Sequence, residues 1–345
     1  MEGGDAVPRE TKRVKITSPE KLAMINKSNI RLRDEFLMYL RSLQRSEGTI
    51  SGYESDLNIV FTFLLDEFDN KPFQKLTKRD LIAFQNWLVN NGTSSARIRR
   101  LKAAISSLSN YCEHILSDDD PDFEGYRSIV RKIENPPLTP VREKTVWSDE
   151  ELESLLDRLT EMGEYGKACF VALGMFGGRR KAELCRFRVS DFDDDHVVCD
   201  GALYRSSPIL TKGDKMLECY TLKKRFDPYL ELWIVQRVER GIDSPWLFPM
   251  RGNPDEHISA TTANSLAETC SRLTGRDFYF HSLRHYFVSA LSRAGIPDGV
   301  VVEIMGWSSS EMFKIYDDNP KDAKIAMFFK DGDIDVSRAG TINNI

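Results

Sequence analysis

The chain has 345 residues, enough for two domains, and 41% of them are apolar, which is sufficient for packed cores. No apolar run approaches the roughly 18 residues that cross a membrane. The first residues contain no hydrophobic signal region, so we expect a protein that stays in the cytoplasm. The six cysteines include no Cys-x-x-Cys pair, which favours reduced, buried thiols over a zinc site or a disulfide framework.

The charges are unevenly distributed along the chain. The net charge of −5 argues mildly against nucleic-acid binding. However, basic residues dominate segments 9–45 and 71–102, whereas acids gather at 118–120, 191–195 and 331–335. Such runs are usually solvated faces, but a protein that grips phosphate on one side separates its charges in the same way.

The first part of the chain predicts a helical domain. We expect residues 1–27 to be a loosely ordered extension and residues 28–136 to contain four amphipathic helices, the third capped by Thr77. The fourth helix buries Leu101, Ile105 and Leu108, and its opposite face begins with Arg99 and Lys102. That face predicts a surface for DNA grooves or backbone. The candidate DNA-binding residues are Lys78, Arg79, Arg97, Arg99, Arg100 and Lys102.

A second domain is predicted over residues 137–345. A linker at 117–146, rich in Asp and Pro, spans the boundary between the two domains. Ser148 and Glu151 form a capping box at its first helix. We expect helices near 149–163, 166–176, 180–187, 227–239 and 260–274, and a small antiparallel sheet from 197–199, 203–210 and 216–222. An apolar tail helix would carry Ile325, Phe328 and Phe329.

Residues 281–316 bring reactive side chains to helix ends that can converge. His281 and Arg284 are three residues apart on one helical face, and Gly295 with Pro297 ends that helix. Gly306-Trp307 follows, then a capping box of Ser308 and Glu311 before a last turn that ends at Tyr316. A tyrosine hydroxyl that attacks, with His and Arg to hold oxygens, suits chemistry on a phosphodiester.

Two upstream motifs complete this set. Arg180-x-x-Glu183-Leu184 follows a glycine-rich turn, and Lys212-Gly213-Asp214 lies at the tip of a β-hairpin. In this combination and order the sequence resembles the tyrosine recombinase family, which includes the phage integrases and the Xer and Cre recombinases. The matching elements are the two arginine boxes, the hairpin lysine, and a Gly-His or Gly-Trp pair with the tyrosine nine residues after the His or Trp.

The resemblance implies a fold and an activity. The fold would be mainly α, with a helical core-binding domain and an α+β catalytic domain that carries a small antiparallel sheet, together forming a C-shaped DNA clamp. The enzyme would be a site-specific recombinase that cleaves and rejoins double-stranded DNA through a 3′-phosphotyrosine intermediate and a Holliday junction. It would assemble as a tetramer on its target, dock its tail on a neighbouring protomer, and need no metal, ATP or other cofactor.

The same resemblance assigns roles to individual residues. Arg180 and Arg284 would clamp the scissile phosphate, Tyr316 would attack it, and Lys212 would protonate the leaving 5′ oxygen. His281 would assist proton transfer or hold a phosphate oxygen. The remaining two roles fall to Trp307, which donates to the phosphate and packs beneath the tyrosine, and to Glu183, which orients Arg180.

Some alternatives stay open in the sequence. Trp307 stands where most members have His, and an indole N–H can donate but cannot take a proton. Arg179 competes with Arg180, although Glu183 favours Arg180, and Lys215 competes with Lys212. A type IB topoisomerase would use the same residue set, and a DNA-binding protein of the same fold that lost its activity is the alternative from another class.

Overall fold

The computed structural model describes residues 16–139, 144–211, 213, 215–320, 329–330 and 333–334. It is mainly helical, with several short antiparallel sheets. The chain divides into two compact units, residues 1–143 and 144–345, each with its own hydrophobic core. No helix in the described ranges is long and apolar enough to cross a membrane.

The first unit is built from amphipathic helices. Its main helices are α1 (Pro19–Met24), α2 (Lys27–Ser42), α3 (Glu47–Glu67), α4 (Lys78–Asn90) and α5 (Ser95–Tyr111), the last continued by a π-helical turn (Cys112–Leu116) and α6 (Ser117–Asp119). The four predicted helices are thus α2 to α5. Thr77 caps α4 as predicted, in a capping box with Asp80.

Two predictions for this unit are wrong. The sequence predicts loose order for residues 16–27, but they contain α1 and place Ile25 in the core, 5% exposed. Residues 1–15 lie outside the described part. The expected linker from residue 117 also fails at its start, because Phe123, Tyr126 and Ile129 pack into the core of the helical unit. The many Asp and Pro residues of that segment predict a linker, whereas its three apolar side chains fix its position.

The second unit surrounds a buried helix. The helices are α7 (Asp149–Glu161), α8 (Tyr165–Gly177), α9 (Lys181–Leu184), α10 (Lys223–Glu239), α11 (Thr262–Thr274), α12 (Phe280–Arg293), α13 (Asp298–Met305) and α14 (Glu311–Tyr316). Helix α8 is buried from Ala168 to Gly177 and packs against α7, α10 and α12. A helix that is apolar all round belongs in a core. Ser148 and Glu151 form the predicted capping box of α7.

The strands are shorter than the sequence predicts. They are β1 (Val197–Val198), β2 (Leu203–Arg205), β3 (Ile209–Leu210), β4 (Met216–Leu217), β5 (Tyr220–Leu222), β6 (Pro249–Met250) and β7 (Asn253–His257). The predicted runs 203–210 and 216–222 are each split in two, so that β1, β2 and β5 form one antiparallel sheet and β3 with β4 forms a separate hairpin. The β6–β7 hairpin is not predicted by the sequence pattern.

Two further expectations need correction. The sequence predicts a tail helix that includes Phe329, but this residue lies in β8 (Phe329–Lys330), which pairs with β9 (Asp333–Ile334). Ile325 and Phe328 lie outside the described residues. Of the six cysteines, five are buried as expected, whereas Cys199 is exposed, because it lies in the tight turn between β1 and β2 with a positive φ of 55°.

Gly178 ends α8 and supports a prediction about stability. Its φ is +62°, and a Cβ atom there would lie 2.3 Å from Phe287 Cδ1. Gly178→Ala should therefore lower the free energy of unfolding by about 1–2 kcal/mol for the left-handed backbone and by a further ~1–3 kcal/mol for the steric overlap. Urea unfolding of the purified variants would measure the loss.

Gly275→Ala is the matched control for that prediction. Gly275 also ends a helix, α11, with φ +68°, but a Cβ atom there would meet no other atom within 4 Å. This variant should lose only the backbone contribution. Equal losses at the two glycines would show that Phe287 moves aside at no cost.

Candidate active site

Helix α12 carries His281 and Arg284, and helix α14 brings the predicted nucleophile, Tyr316, next to them. Tyr316, the last residue of α14, is 5% exposed. Its ring centroid lies 5.2 Å from that of His281 and 5.1 Å from the guanidinium carbon of Arg284. Both partners are on α12, which is anchored by Leu283 in the main core of the unit and by Phe287 and Leu291 in the same apolar cluster as Tyr316.

Arg180 and Glu183 lie beside this group. Glu183 accepts a hydrogen bond from the Arg180 side chain at 2.8 Å and another from its backbone N–H at 3.0 Å. The second carboxylate oxygen lies 4.0 Å from Arg284 Nη1, so one buried carboxylate lies between the two arginines. Arg179 is different, because it is 1% exposed and donates to the carbonyl of Ile304. The contacts thus favour Arg180 over Arg179 as the arginine of the Arg-x-x-Glu-Leu motif.

Arg284 is fully buried, with its positive charge only partly balanced. Its Nη1 donates to the Gly178 carbonyl at 3.1 Å. Its Nε and Nη2 atoms have no hydrogen-bond partner among the described residues. Burial, with the charges of Arg180 and Arg179, lowers the pKa of Arg284 to about 10, so it remains a cation at pH 7. Unpaired buried donors are costly and unusual in native proteins.

Trp307 supplies another unpaired donor. Its ring stacks on Tyr316 with centroids 5.1 Å apart and planes inclined by 26°, and its buried Nε1 has no partner among the described residues. Gly306, with φ +65°, ends α13 and turns the chain toward Trp307. The predicted capping box of Ser308 is wrong, because the N–H of Glu311 bonds instead to Ser309 Oγ at 3.2 Å.

His281 is the exposed member of the group. Partial burial of its ring, followed by the positive charges of His285, Arg284, Arg180 and Lys144, lowers its pKa to about 4. Because His281 is exposed, water screens part of the effect of these charges, but burial and the charges both lower its pKa. The imidazole is therefore neutral at pH 7, with one nitrogen to donate and one to accept a proton.

The predicted hairpin lysine, Lys212, lies outside the described residues. The hairpin that carries it joins β3 to β4, with Gly213 in its turn at φ +81°. The base of the hairpin adjoins the site, since a Cβ on Gly306 would lie 2.7 Å from Leu217 of β4. Lys215, the competing residue, is described and exposed, immediately before β4.

Three residues near Tyr316 were missed by the sequence reasoning. His285 is 7% exposed, and its ring lies 4.6 Å from the Tyr316 ring. Asp318 lies 3.4 Å from His285 Nδ1 and also accepts from Lys144. The spacing of four residues between His281 and His285 was a signal for His285. Nothing local to Asp318 or Lys144 in the sequence indicates their position, because it depends on how distant segments pack.

The predicted DNA-contacting cations occupy different environments. Lys78 and Arg79 are exposed on the first turn of α4. The remaining cations lie on α5, where Arg97 and Arg100 both pair with Asp56 of α3.

The interpretation of Lys102 as a surface contact is wrong. Its side chain is 7% exposed and donates to the carbonyls of Ile133 and Glu134, while Arg99 donates to that of Pro136 at 2.9 Å. The segment that follows α6 therefore covers this face of α5. Lys78, Arg79 and Arg100 are exposed, whereas Arg97 and Arg99 are half-buried and Arg99 is engaged with the Pro136 carbonyl.

Comparisons with known proteins match both units. The profile of the phage integrase family matches residues 146–322, and the profile of the N-terminal SAM-like domain of phage integrases matches residues 34–114. The first of these spans about half of the chain. The chain belongs to the phage integrase family. It is a tyrosine recombinase, an enzyme of site-specific DNA recombination.

Individual relatives of this recombinase agree. The chain is 30% identical over 236 residues to the SPbeta prophage-derived recombinase-like protein YomM of Bacillus subtilis, covering 67% of this chain and 69% of that protein. It is 25% identical over 294 residues to the tyrosine recombinase XerA of Pyrococcus horikoshii, covering 84% and 89%. These names favour a recombinase over the topoisomerase alternative.

Solved structures show the same fold. The XerH site-specific recombinase bound to palindromic difH substrate superposes with a TM-score of 0.62 at 17% identity, covering 92% of this chain and 90% of that one. A lambda integrase dimer bound to a COC′ core site gives a TM-score of 0.58 at 15% identity, covering 88% and 81%. The fold predicted from the sequence, mainly α with small antiparallel sheets, is confirmed.

Proposed function

We propose that this recombinase cleaves DNA by attack of the Tyr316 hydroxyl oxygen on the scissile phosphorus. A bond forms between that oxygen and phosphorus, and the bond to the 5′ oxygen breaks, giving a 3′-phosphotyrosine and a free 5′-hydroxyl. The observation that carries the proposal is the set of buried donors without partners beside Tyr316, namely Arg284 Nε and Nη2 and Trp307 Nε1. A phosphate group bound there would satisfy all of them.

The two family arginines hold the phosphate in this scheme. Arg284 is fully buried, whereas the Arg180 side chain is 35% exposed and hydrogen-bonded to Glu183. Negative charge grows on the non-bridging oxygens as Tyr316 attacks, and fixed donors stabilise that charge without reorganisation. Trp307 adds one neutral N–H and supports the tyrosine ring.

In this scheme His281 and Lys212 transfer the protons. Tyrosine has an ordinary pKa near 10, so its hydroxyl must lose a proton during attack. His281, neutral at pH 7, is placed to accept that proton or to donate to a phosphate oxygen. Lys212 gives a proton to the departing 5′ oxygen, which otherwise leaves as an unstable alkoxide. A 5′-hydroxyl from another strand can reverse the reaction, so strand exchange needs neither metal nor ATP.

The partner is double-stranded DNA with a specific target site. We assign its backbone contacts in the helical unit to the exposed or half-exposed cations Lys78, Arg79, Arg97 and Arg100. Exchange of two duplexes through a Holliday junction calls for four active sites, so we propose a tetramer on DNA. A lambda integrase tetramer bound to a Holliday junction, which shares the fold at a TM-score of 0.57, supports that assembly. Because DNA is the substrate, we place the activity in the cytoplasm with the nucleoid.

Covalent trapping tests the proposed chemistry even while the natural target site is unidentified. DNA selected by the protein from a random pool is rebuilt as a nicked duplex that loses its short 5′-hydroxyl fragment after cleavage. We expect a protease-sensitive covalent complex in which the 3′ end of the DNA is attached to Tyr316. Tight binding with no adduct, on both single sites and paired sites that allow synapsis, would reject the proposal.

The hairpin lysines give a separate prediction. Lys212→Ala should slow cleavage by about 10²- to 10³-fold, the typical effect of removing one group that acts in the transition state. Cleavage should recover on a duplex with sulfur in place of the scissile 5′ oxygen, because a thiolate leaves without a proton. The single-turnover rate on the two substrates is the measurement.

Lys215→Ala is the internal control for Lys212. Its side chain is exposed, and its backbone carbonyl accepts from Thr211 at 2.7 Å, a contact that the substitution preserves. We expect a rate close to that of the unchanged protein. A large loss at Lys215 that sulfur rescues, with a normal rate for Lys212→Ala, would transfer the role to Lys215.

A further inference from the structure

A second histidine contacts the nucleophile and has no role in the reaction described above. His285 lies one turn after His281 on α12, and its ring is tilted by 34° to the Tyr316 ring with the centroids 4.6 Å apart. That is closer than the His281 ring, at 5.2 Å. Unlike His281 it is buried, with 7% of its surface exposed. It therefore faces the tyrosine from inside the protein.

The other edge of His285 faces a carboxylate. Nδ1 lies 3.4 Å from Oδ2 of Asp318, two residues after the nucleophile, and both side chains are 9% exposed. Nδ1 makes no well-directed hydrogen bond, so the two side chains are held by close approach at 3.4 Å. Asp318 also accepts from Lys144. Burial opposes its ionisation, but the contacts with His285 and Lys144 outweigh that and hold the pKa of Asp318 below its ordinary value.

The same face of α12 holds the backbone around Asp318. Ser289, one turn beyond His285, accepts from the Asp318 N–H at 2.8 Å, and its carbonyl accepts from the Asn319 side chain at 2.9 Å. Ser292 donates to Asp317 Oδ2 at 2.9 Å. The spacing His285, Ser289, Ser292 is the repeat of one helical face. The chain that follows Tyr316 is thus bound along two turns of α12.

Stability alone is a weak reason for a buried carboxylate here. Burial of a charged group costs free energy that its contacts offset only in part, so such contacts contribute little net stability. Position matters more at a nucleophile, because a displacement of about 1 Å can reduce the rate roughly 10²-fold. A fixed anchor two residues past the tyrosine, joined to a side chain that contacts its ring, restricts both the backbone and the ring.

We propose that His285 and Asp318 form a positioning pair that holds Tyr316 in line with the scissile phosphate. The inference rests on Tyr316 as the nucleophile. Neither residue transfers a proton or contacts the phosphate. His285 contacts the tyrosine ring, and Asp318 fixes His285 and the backbone that follows Tyr316.

Asp318→Asn is the first test, because it removes the charge and preserves the shape. We expect single-turnover cleavage with saturating protein to fall by about 10- to 100-fold, with unchanged affinity for DNA. The loss should be equal on the oxygen and 5′-sulfur substrates, since positioning of the nucleophile is independent of the leaving group. Recovery of the rate with sulfur, or a normal rate on both substrates, would overturn the proposal.

Asp149→Asn is the matched control. Asp149 is also a carboxylate that contacts a basic side chain of α12, Arg293 at 2.9 Å, but on the exposed surface. This variant should cleave at the rate of the unchanged protein. An equal loss at Asp149 would mean that any carboxylate contact with α12 affects the rate, which would contradict a specific role for Asp318.

A double-mutant cycle tests whether the two residues act as one unit. His285→Phe keeps a ring against Tyr316 but removes the imidazole nitrogen that Asp318 contacts, and we expect the same loss as for Asp318→Asn. The double variant should be no slower than either single variant, because both remove one interaction. Multiplied losses would show two independent roles and would reject the pair.

Fluorine NMR separates a failure of this inference from a failure of the proposed reaction. The free protein is labelled with 3-fluorotyrosine, and the Tyr316 signal is identified by its absence in Tyr316→Phe. We expect Asp318→Asn to shift or broaden that signal and Asp149→Asn to leave it unchanged. An unaltered signal in Asp318→Asn would reject the positioning role, whether or not the unchanged protein forms a DNA adduct.

Discussion

Tyr316→Phe should abolish covalent attachment to DNA while leaving DNA affinity intact. The substitution removes a single oxygen atom, the proposed nucleophile, and keeps the ring that stacks on Trp307 and packs in the core cluster of α12 and α13. The exposed cations of the helical unit are unaffected. Adduct formation on the nicked duplex and the dissociation constant for the same DNA are the two measurements, and only the first should change.

Tyr279→Phe is a suitable control for the loss of a hydroxyl. Tyr279 precedes α12, and its hydroxyl accepts from the backbone N–H of Thr145 at 3.3 Å, in the same unit as Tyr316. It should form the adduct at a normal rate. An adduct of normal yield from Tyr316→Phe would overturn the assignment of the nucleophile, and mass spectrometry of the attached peptide would then identify the true one.

The sequence allowed much of this site to be predicted because its chemistry lies in short local motifs. The pair His281 and Arg284 needs only a helix to share one face, and Arg180 with Glu183 needs only the start of another. The structure brings these four residues together with Trp307 and Tyr316. Their roles in catalysis stay predictions until the variants are measured.

Long-range packing accounts for what the sequence did not indicate. Lys102 has the spacing of a surface residue on α5, and only the later segment that ends at Glu134 buries it. Asp318 meets His285 because α14 folds back on α12. The sequence predicts two long strands in the sheet, but Ser206, Ser207 and Pro208 separate β2 from β3, a break that the proline signals locally, and Glu218 with Cys219 separates β4 from β5. For Lys102 and Asp318 the deciding partner lies far away in sequence.

Loss of either family arginine is the second large effect that we expect. Arg180→Ala should slow single-turnover cleavage by at least about 10²- to 10³-fold, because it removes a fixed charge where negative charge develops. Recombination needs successive cleavages and should fall below detection. Arg284→Ala should be at least as severe, and it also leaves Glu183, 3% exposed, with one cation fewer. Cleavage rates and thermal unfolding of both variants are the measurements.

The charge on the phosphate supplies the decisive control for the arginine prediction. On a scissile methylphosphonate, in which a neutral methyl group replaces one charged oxygen, less negative charge develops, so the loss in Arg180→Ala should shrink. Arg188→Ala removes an exposed arginine of the same unit that lies over the half-buried ring of Trp246, 4.6 Å from its centroid, and should alter neither reaction. A loss in Arg180→Ala that is equal on both substrates would mean that Arg180 maintains the shape of the site and does not stabilise charge. The phosphate clamp would then be left to Arg284 and Trp307.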